Sequence, residues 1–282
     1  MVITNAFAVR GVIGVLGMKI GIVGLGTVGT AMSKLFPYAT LYDEPLELGS
    51  RTDINSCDVT FVCVPTPGTA DGMLDTSIVS NVVSWIDSKL IILRSTVNPG
   101  TTNALKVEYK KRIVFQPEYL GESANHPLAD SRQHPFLLFG GTLADTRMAI
   151  EAYHAVYNSS VRIRQTDPLN AEIIKLAENR AIAHKVAEVQ ELYDLCEAAG
   201  VDYYLIREAV YGDDPRMSPY WTFVYPQQRG FNSKCIPKDV CAIAAYARSL
   251  GIHLNITETI LEQNKSYIDD VQPEPNPTIL QK

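Results

Sequence analysis

The chain has 282 residues, of which 46% are hydrophobic and 20% charged, a composition typical of a globular protein with an apolar core. Its net charge of -6 at pH 7 argues against a nucleic-acid binder, and no apolar run approaches the ~20 residues that a membrane span needs. The five cysteines are scattered without a CxxC pair, so we expect no disulfide framework, no metal site and a reducing, cytoplasmic location.

Residues 1–17 precede a second methionine, Met18, and are interpreted as an N-terminal extension without the cleavage pattern of a signal peptide. From Met18 the chain alternates short apolar runs with amphipathic segments, which predicts parallel strand–helix–strand units in a doubly wound sheet. The predicted strands are 18–24, 39–43, 59–64, 90–95, 112–116 and 135–140. The predicted helices of this half are 27–36, 76–87 and 144–157.

The second half of the chain has helical periodicity. Asp167-Pro168 has the pattern of a helix start, and about thirty helical residues follow as far as Gly200. A helix of this length needs a packing partner, either in its own domain or in a second copy of the chain. Two more helices are predicted, at 237–250 and 255–268. The domains are therefore predicted as α/β over 18–166 and all-helical over 167–268, with a disordered, Pro-rich tail over 269–282.

The first predicted strand leads into a Gly-x-Gly-x-x-Gly turn at the start of a helix. The first glycine permits the tight turn, the second lets a pyrophosphate approach the backbone, and the third lets helix and strand pack closely. An acid ends the second strand, where it can bind ribose hydroxyls and repel a 2′-phosphate, so the pattern predicts a Rossmann domain that binds NAD. A glycine turn that serves only chain geometry is the alternative. The predicted cofactor contacts are Gly24, Gly26, Thr27, Val28, Gly29 and Asp43.

Five further motifs follow in a set order. They are Val64-Pro65-Thr66-Pro67, Ser95-Thr96-Val97 with Pro99-Gly100-Thr101-Thr102, Pro117-Glu118-Tyr119-Leu120-Gly121-Glu122, Lys175 with Asn179, and Gly230 to Asp239 around Cys235. From Met18 to about residue 265, the chain resembles the UDP-glucose/GDP-mannose dehydrogenase family in the order and spacing of these motifs. The resemblance adds Val64, Pro65, Thr66, Ser95 and Thr96 to the expected NAD contacts.

The resemblance implies a four-electron oxidation of a nucleotide-sugar C6 alcohol to the uronate, as in polysaccharide biosynthesis, with two NAD consumed. It makes Cys235 the nucleophile that forms a thiohemiacetal and then a thioester. It assigns Lys175, Asn179 and Asp239 to the oxyanion and to water, and Thr96 and Glu122 to acid–base work through water. Glu118 is the remaining acid of its motif. A homodimer formed through the long helix is the expected assembly.

The residue types agree with this chemistry. Cys235 lies just before Pro237, where a helix is predicted to begin, and Lys234 and Lys238 flank it; cations and helix N-termini favour the thiolate. Lys175 and Asn179 are four residues apart on one helix face and can serve one oxygen. The alternatives are an inert cysteine, a solvated helix face, a surface pair at Glu118 and Glu122, and a Thr96 that only ends a strand.

Three departures from the family pattern stand out. Asn232, Ser233 and Lys234 occupy a segment that is glycine-rich in the family, which implies a reshaped pocket. Gly121 replaces a usual arginine. Family members are longer and end in a second nucleotide-binding domain, so we expect a short form that lacks it. The segment 215–221, with Tyr225 and Arg229, is either a replacement clamp for the nucleotide or a surface loop.

Two other functions remain open from the sequence. The first is a two-electron dehydrogenase of the β-hydroxyacid type, in which Cys235 has no role. The second is an inactive NAD-binding remnant or scaffold. The number of NADH formed for each sugar consumed discriminates among them: two for the leading hypothesis, one for the simple dehydrogenase and none for the remnant.

Overall fold

The computed structural model describes residues 17–121, 128, 130–154, 156, 157 and 160–269. It comprises two units. The first contains the described residues up to Pro67 together with Leu74–Lys175, and the second contains Gly68–Met73 and the described residues from Leu176 onward. Almost all of the predicted N-terminal extension and of the predicted tail lies outside the described residues.

The first unit is built on one seven-stranded sheet with the strand order β2-β1-β3-β4-β5-β6-β7. All neighbouring strands are parallel except β5 and β6, which are antiparallel. The six predicted strands are confirmed, whereas the seventh was missed because its side chains are mostly exposed and it lacks an apolar pattern. The strands are β1 Ile20–Val23, β2 Thr40–Tyr42, β3 Val59–Val62, β4 Leu90–Leu93, β5 Ile113–Phe115, β6 Phe136–Gly140 and β7 Arg162–Thr166.

Five helices cover both faces of the sheet, which confirms the doubly wound fold. Successive residues of β4 enter different buried clusters: Ile91 packs with α3 and α4, and Ile92 packs with α1 and α5. The sequence missed α2 and α4. The helices are α1 Thr27–Leu35, α2 Arg51–Asn55, α3 Ser77–Trp85, α4 Thr101–Tyr109 and α5 Leu143–Tyr153.

Helix α4 begins after Gly100, which has a φ of +95°. Its N-terminus is capped from a distance, because the buried Glu172 accepts hydrogen bonds from the backbone N–H groups of Gly100, at 2.6 Å, and Thr102, at 2.8 Å. Burial raises the pKa of Glu172 despite these bonds. A cap seventy residues away leaves no local sequence signal, which explains why the helix was not predicted.

The long helix α6 spans Pro168–Ala199 and ends at Gly200, whose φ is +70°, as predicted. The second unit continues with α7 Tyr203–Arg207, a π-helical turn at Glu208–Gly212, α8 Ile236–Ser249 and α9 Asn255–Asp269. In the part of the chain that the structure describes, no helix has the length and apolarity needed to cross a bilayer.

Candidate active site

In the glycine turn after β1, Gly24 and Gly29 occupy positions where a side chain would not fit. Gly24 has a φ of +89°, and a Cβ on Gly29 would collide with the carbonyl oxygen of Gly24. At Gly26, by contrast, a Cβ would meet no atom within 4 Å, so the backbone faces open space. Gly26 is also the N-cap of α1 and provides no side-chain cap, which leaves the amides of Thr27 and Val28 in an uncapped first turn.

These features fit the pyrophosphate of a dinucleotide, which needs close approach to the backbone and a helix N-terminus. Asp43 follows β2, and its carboxylate accepts hydrogen bonds from the amides of Leu25, at 2.7 Å, and Leu46, at 3.0 Å. The acid is thereby fixed against the glycine turn. When bound, NAD supplies the hydride acceptor, and Gly26 and Asp43 are the residues that would hold its phosphate and ribose.

The two strand ends next to this turn are tied together by hydroxyl groups. Ser95 Oγ donates to the carbonyl of Val64 at 2.6 Å, and Thr66 Oγ1 donates to the carbonyl of Thr96 at 2.7 Å. Pro65 lies between Val64 and Thr66, the two residues after β3 that form these hydrogen bonds. The predicted cofactor residues after β3 and β4 are thus brought together at the carboxyl edge of the sheet, where ligands of such folds bind.

Replacing Gly26 with alanine separates cofactor binding from folding. The added methyl group meets no protein atom, so we expect an unchanged unfolding midpoint. Because it would occupy the space that a pyrophosphate needs, we expect NAD affinity to fall by about tenfold or more. Titration calorimetry with NAD, alongside thermal unfolding, checks both effects. Unchanged affinity would contradict the assignment of this turn to the cofactor.

Glu118 lies in a buried ion pair, so the alternative of a surface acid is wrong for this residue. Arg94, at the end of β4, contacts Oε2 of Glu118, while Oε1 accepts the amides of Tyr119 and Leu120 at 2.7 Å each. Burial alone would raise the pKa of Glu118, but the charges of Arg94 and His134 and the two amides hold it below its usual range. Glu122 lies outside the described residues.

Arg94 was missed by the sequence analysis. The residue is 5% exposed, its Nε is buried without a hydrogen-bond partner in the protein, and its charge pairs with the buried Glu118. A small cavity of about 10 Å³ adjoins it, lined also by Gln116 and His134. The available signal was a single cation directly after the apolar strand Leu90–Leu93, where a buried charge demands a partner.

Lys175, at the end of the first unit, is nearly fully buried, so the alternative of a solvated helix face is wrong for it. Its Nζ lies 5.1 Å from the centroid of the Tyr119 ring, within cation–π range. The backbone of Tyr119 is in turn held by Glu118. The Pro117–Gly121 motif and the lysine motif are therefore neighbours in the folded unit.

In the second unit, Asn179 and Asp239 are both buried and bonded to each other. Asn179 Nδ2 donates to Asp239 Oδ2 at 2.6 Å, and Lys238 Nζ lies 2.7 Å from Asp239 Oδ1. Cys235 is exposed and forms the N-cap of α8, with Pro237 in the first turn. The structure thus brings a thiol, a buried carboxylate with its counter-cation and an amide to the start of one helix.

The candidate nucleotide clamp divides into buried and exposed residues. Arg229 is buried and donates to Gln190 Oε1 and to Asp194 Oδ1, each at 2.6 Å, so its interpretation as a diphosphate ligand is wrong. Arg216 is exposed and paired with Asp214. The candidate aromatic residues Tyr220, Trp221 and Tyr225 are exposed.

Two family models match consecutive parts of the chain. Residues 43–161 match the NAD-binding domain of the UDP-glucose/GDP-mannose dehydrogenase family, and residues 169–266 match its central domain. Together these matches cover most of the chain. The chain belongs to the UDP-glucose/GDP-mannose dehydrogenase family. The glycine turn precedes the first match, and Lys175, Asn179 and Cys235 all lie within the second.

Curated relatives in this family are longer. The chain is 28% identical over 226 residues to UDP-glucose 6-dehydrogenase TuaD of Bacillus subtilis, a match that covers 75% of this chain and 47% of the relative. It is 28% identical over 247 residues to UDP-glucose 6-dehydrogenase AglM of Haloferax volcanii, covering 79% and 54%. The chain spans about half the length of the curated relatives it matches.

Solved structures share the fold. A UDP-glucose dehydrogenase from Pyrobaculum islandicum superposes with a TM-score of 0.76 at 24% identity, over 88% of this chain and 68% of that one. A UDP-D-ManNAc dehydrogenase from Pyrococcus horikoshii gives 0.73 at 20% identity, over 89% and 69%. The Rossmann domain and the following helical region with its long helix are thereby established for this member of the family.

Proposed function

We propose that this family member oxidises the C6 alcohol of a nucleotide sugar to the uronate, with two NAD reduced per sugar. The observation that carries the proposal is the position of Cys235, an exposed thiol at the N-terminus of α8, four residues before the buried Asp239 that binds Asn179. A simple two-electron dehydrogenase requires no nucleophile at such a position.

The chemistry balances over three events. The alcohol loses a hydride and a proton to become an aldehyde. The Cys235 thiolate then adds to the carbonyl carbon, and protonation of the oxygen gives a thiohemiacetal, which loses a second hydride and a proton to become a thioester. Water finally attacks the thioester carbon, the C–S bond breaks, and the uronate and the thiolate are released with two protons.

Further motif residues and Lys238 suit these events by charge and donor type. Lys175 and Asn179, one turn apart on α6, provide a cation and an amide for the oxygen that carries negative charge during thiolate addition. Asp239 holds the amide of Asn179 and is balanced by Lys238, so its carboxylate orders polar groups without a net buried charge. Thr96 and Glu122 are proposed to act through water, as the family resemblance implies.

The test is the amount of NADH formed at 340 nm for each sugar consumed, across a panel of UDP- and GDP-sugars. Two NADH per sugar, with the uronate as product, is the expected result. One NADH per sugar would replace the proposal with a two-electron dehydrogenase. Binding of NAD without turnover on any sugar of the panel would favour the inactive remnant instead.

The proposal includes a cytoplasmic homodimer formed through α6. Leu195 lies on this helix and is 64% exposed, an apolar side chain that a second copy would cover. Sedimentation equilibrium of wild type and Leu195→Glu measures the assembly. A monomeric wild type would contradict this part of the proposal and leave the reaction untouched.

A further inference from the structure

The segment that leads to Cys235 is held at its start by one amide side chain. Asn264, on α9, accepts a hydrogen bond from the backbone N–H of Phe231 at 2.8 Å and donates to the carbonyl of Phe231 at 2.9 Å. The Asn264 side chain therefore satisfies both the backbone N–H and the backbone carbonyl of Phe231. Asn264 is nearly fully buried, so water does not reach the contact to replace it.

The residue before Phe231 is adapted to this contact. Gly230 has a φ of +69°, a conformation that residues with side chains rarely adopt. A Cβ at this position would also stand 2.5 Å from Asn264 Oδ1. Both its backbone angle and its missing side chain are needed for the close approach of Asn264.

Arg229 anchors the same segment to the long helix. Its guanidinium donates to Gln190 and Asp194 of α6 and lies 5.1 Å from the ring of Tyr193 and 5.3 Å from that of Tyr267. Residues 229 to 231 are thus bound by α6 on one side and by α9 on the other. We call these residues, with Asn264, the loop clamp.

The far end of the segment is fixed at the start of α8. Ser233 Oγ accepts the backbone N–H of Ile236 at 3.1 Å, and Cys235 is the N-cap residue. Between the two anchors, Asn232, Lys234 and Cys235 are exposed. With so few residues between the anchors, the position of the thiol depends on where Phe231 is held.

We propose that Asn264 is a positioning residue for Cys235, acting through the loop clamp. The expected effect of Asn264 on turnover rests on the proposed function, whereas its expected effect on the reactivity of the Cys235 thiol does not. This clamp accounts for a loop in which asparagine and serine stand at positions that are glycine in the family pattern, because its geometry is imposed from α9. No contact of Asn264 with substrate is required.

The experiment compares four variants of the full chain by the rate at which iodoacetamide alkylates Cys235, followed by peptide mass spectrometry between pH 6 and 9. Asn264→Leu removes both bonds, Asn264→Asp keeps only the acceptor, and Gly230→Ala obstructs the contact from the opposite side. Gln263→Ala changes an exposed neighbour on the same helix and is the control. Thermal unfolding is measured for each variant.

A thiol displaced from the helix N-terminus loses thiolate character, so we expect Asn264→Leu and Gly230→Ala to slow alkylation at pH 7 by about fivefold or more. The alkylation rate of Asn264→Asp should lie between the rates of these two variants and that of wild type, and the rate of Gln263→Ala should match wild type. In turnover assays kcat of Asn264→Leu and Gly230→Ala should fall by about tenfold. Their KM for NAD should stay within about twofold of wild type, because the cofactor turn lies in the other unit.

Alkylation rates within twofold of wild type at every pH, together with lowered unfolding midpoints, would overturn the proposal and leave the clamp a purely structural contact. If Asn264→Leu does not fold, Asn264→Asp and Gly230→Ala decide by the same criterion. Slowed alkylation in variants of a protein that oxidises no sugar would support the positioning role while refuting the proposed function.

Discussion

Cys235→Ala is expected to abolish uronate formation, with a loss of at least about a thousandfold in turnover, because the proposed thioester forms on its sulfur. The first oxidation needs no thiolate, so the variant should still form a trace of aldehyde and at most one NADH per sugar. The measurement is NADH formation at 340 nm together with product analysis by mass spectrometry.

Cys241→Ala is the matched control for this variant. Cys241 lies on the same helix, half-buried, and burial raises the pKa of its thiol, so it is a poor nucleophile at neutral pH. We expect its variant to retain wild-type turnover. Full uronate formation by Cys235→Ala would contradict covalent catalysis and favour a reaction without a nucleophile.

Arg94→Met is expected to lower the free energy of unfolding by about 3–5 kcal/mol at pH 7, because it leaves the Glu118 carboxylate buried without its cation. The measurement is urea unfolding of wild type and variant. Lys89→Met is the control, since Lys89 pairs with Asp58 at the surface, and a loss below about 1 kcal/mol is expected there.

The difference between wild type and Arg94→Met should shrink as the pH falls. In wild type the pKa of Glu118 is lowered, so its stabilising contribution is present above the ordinary glutamate pKa and is lost as the pH falls through the lowered value. In the variant, protonation of Glu118 removes the uncompensated charge. A destabilisation that is equally large at pH 4 and pH 7 would contradict this account of the pair.

Features with local physical causes were predicted from the sequence. Consecutive apolar residues in β3 and β4 reflect strands buried on both faces, and the glycine spacing from Gly24 to Gly29 reflects a tight turn in which a side chain at either end would clash. The long helix was predicted between Pro168 and Gly200 because both ends carry local signals. The cysteine motif was recognised in the same way, since its residues are close together in the chain.

Features that depend on distant partners were decided only by the tertiary structure. Strand β7 is polar and is defined by its pairing with β6, and α4 is capped by Glu172 from another helix. The buried state of Glu118 follows from Arg94, a residue 24 positions away.

The same division holds at the thiol. The sequence by itself determined that Cys235 stands at the start of a helix, because Pro237 and the helical pattern after it are local. Only the folded chain showed that Asn264 binds the backbone of Phe231 and that Arg229 is buried rather than available to a phosphate. Hydrogen bonds between a side chain and a distant backbone leave no periodic pattern in the sequence, so only the folded structure reveals them.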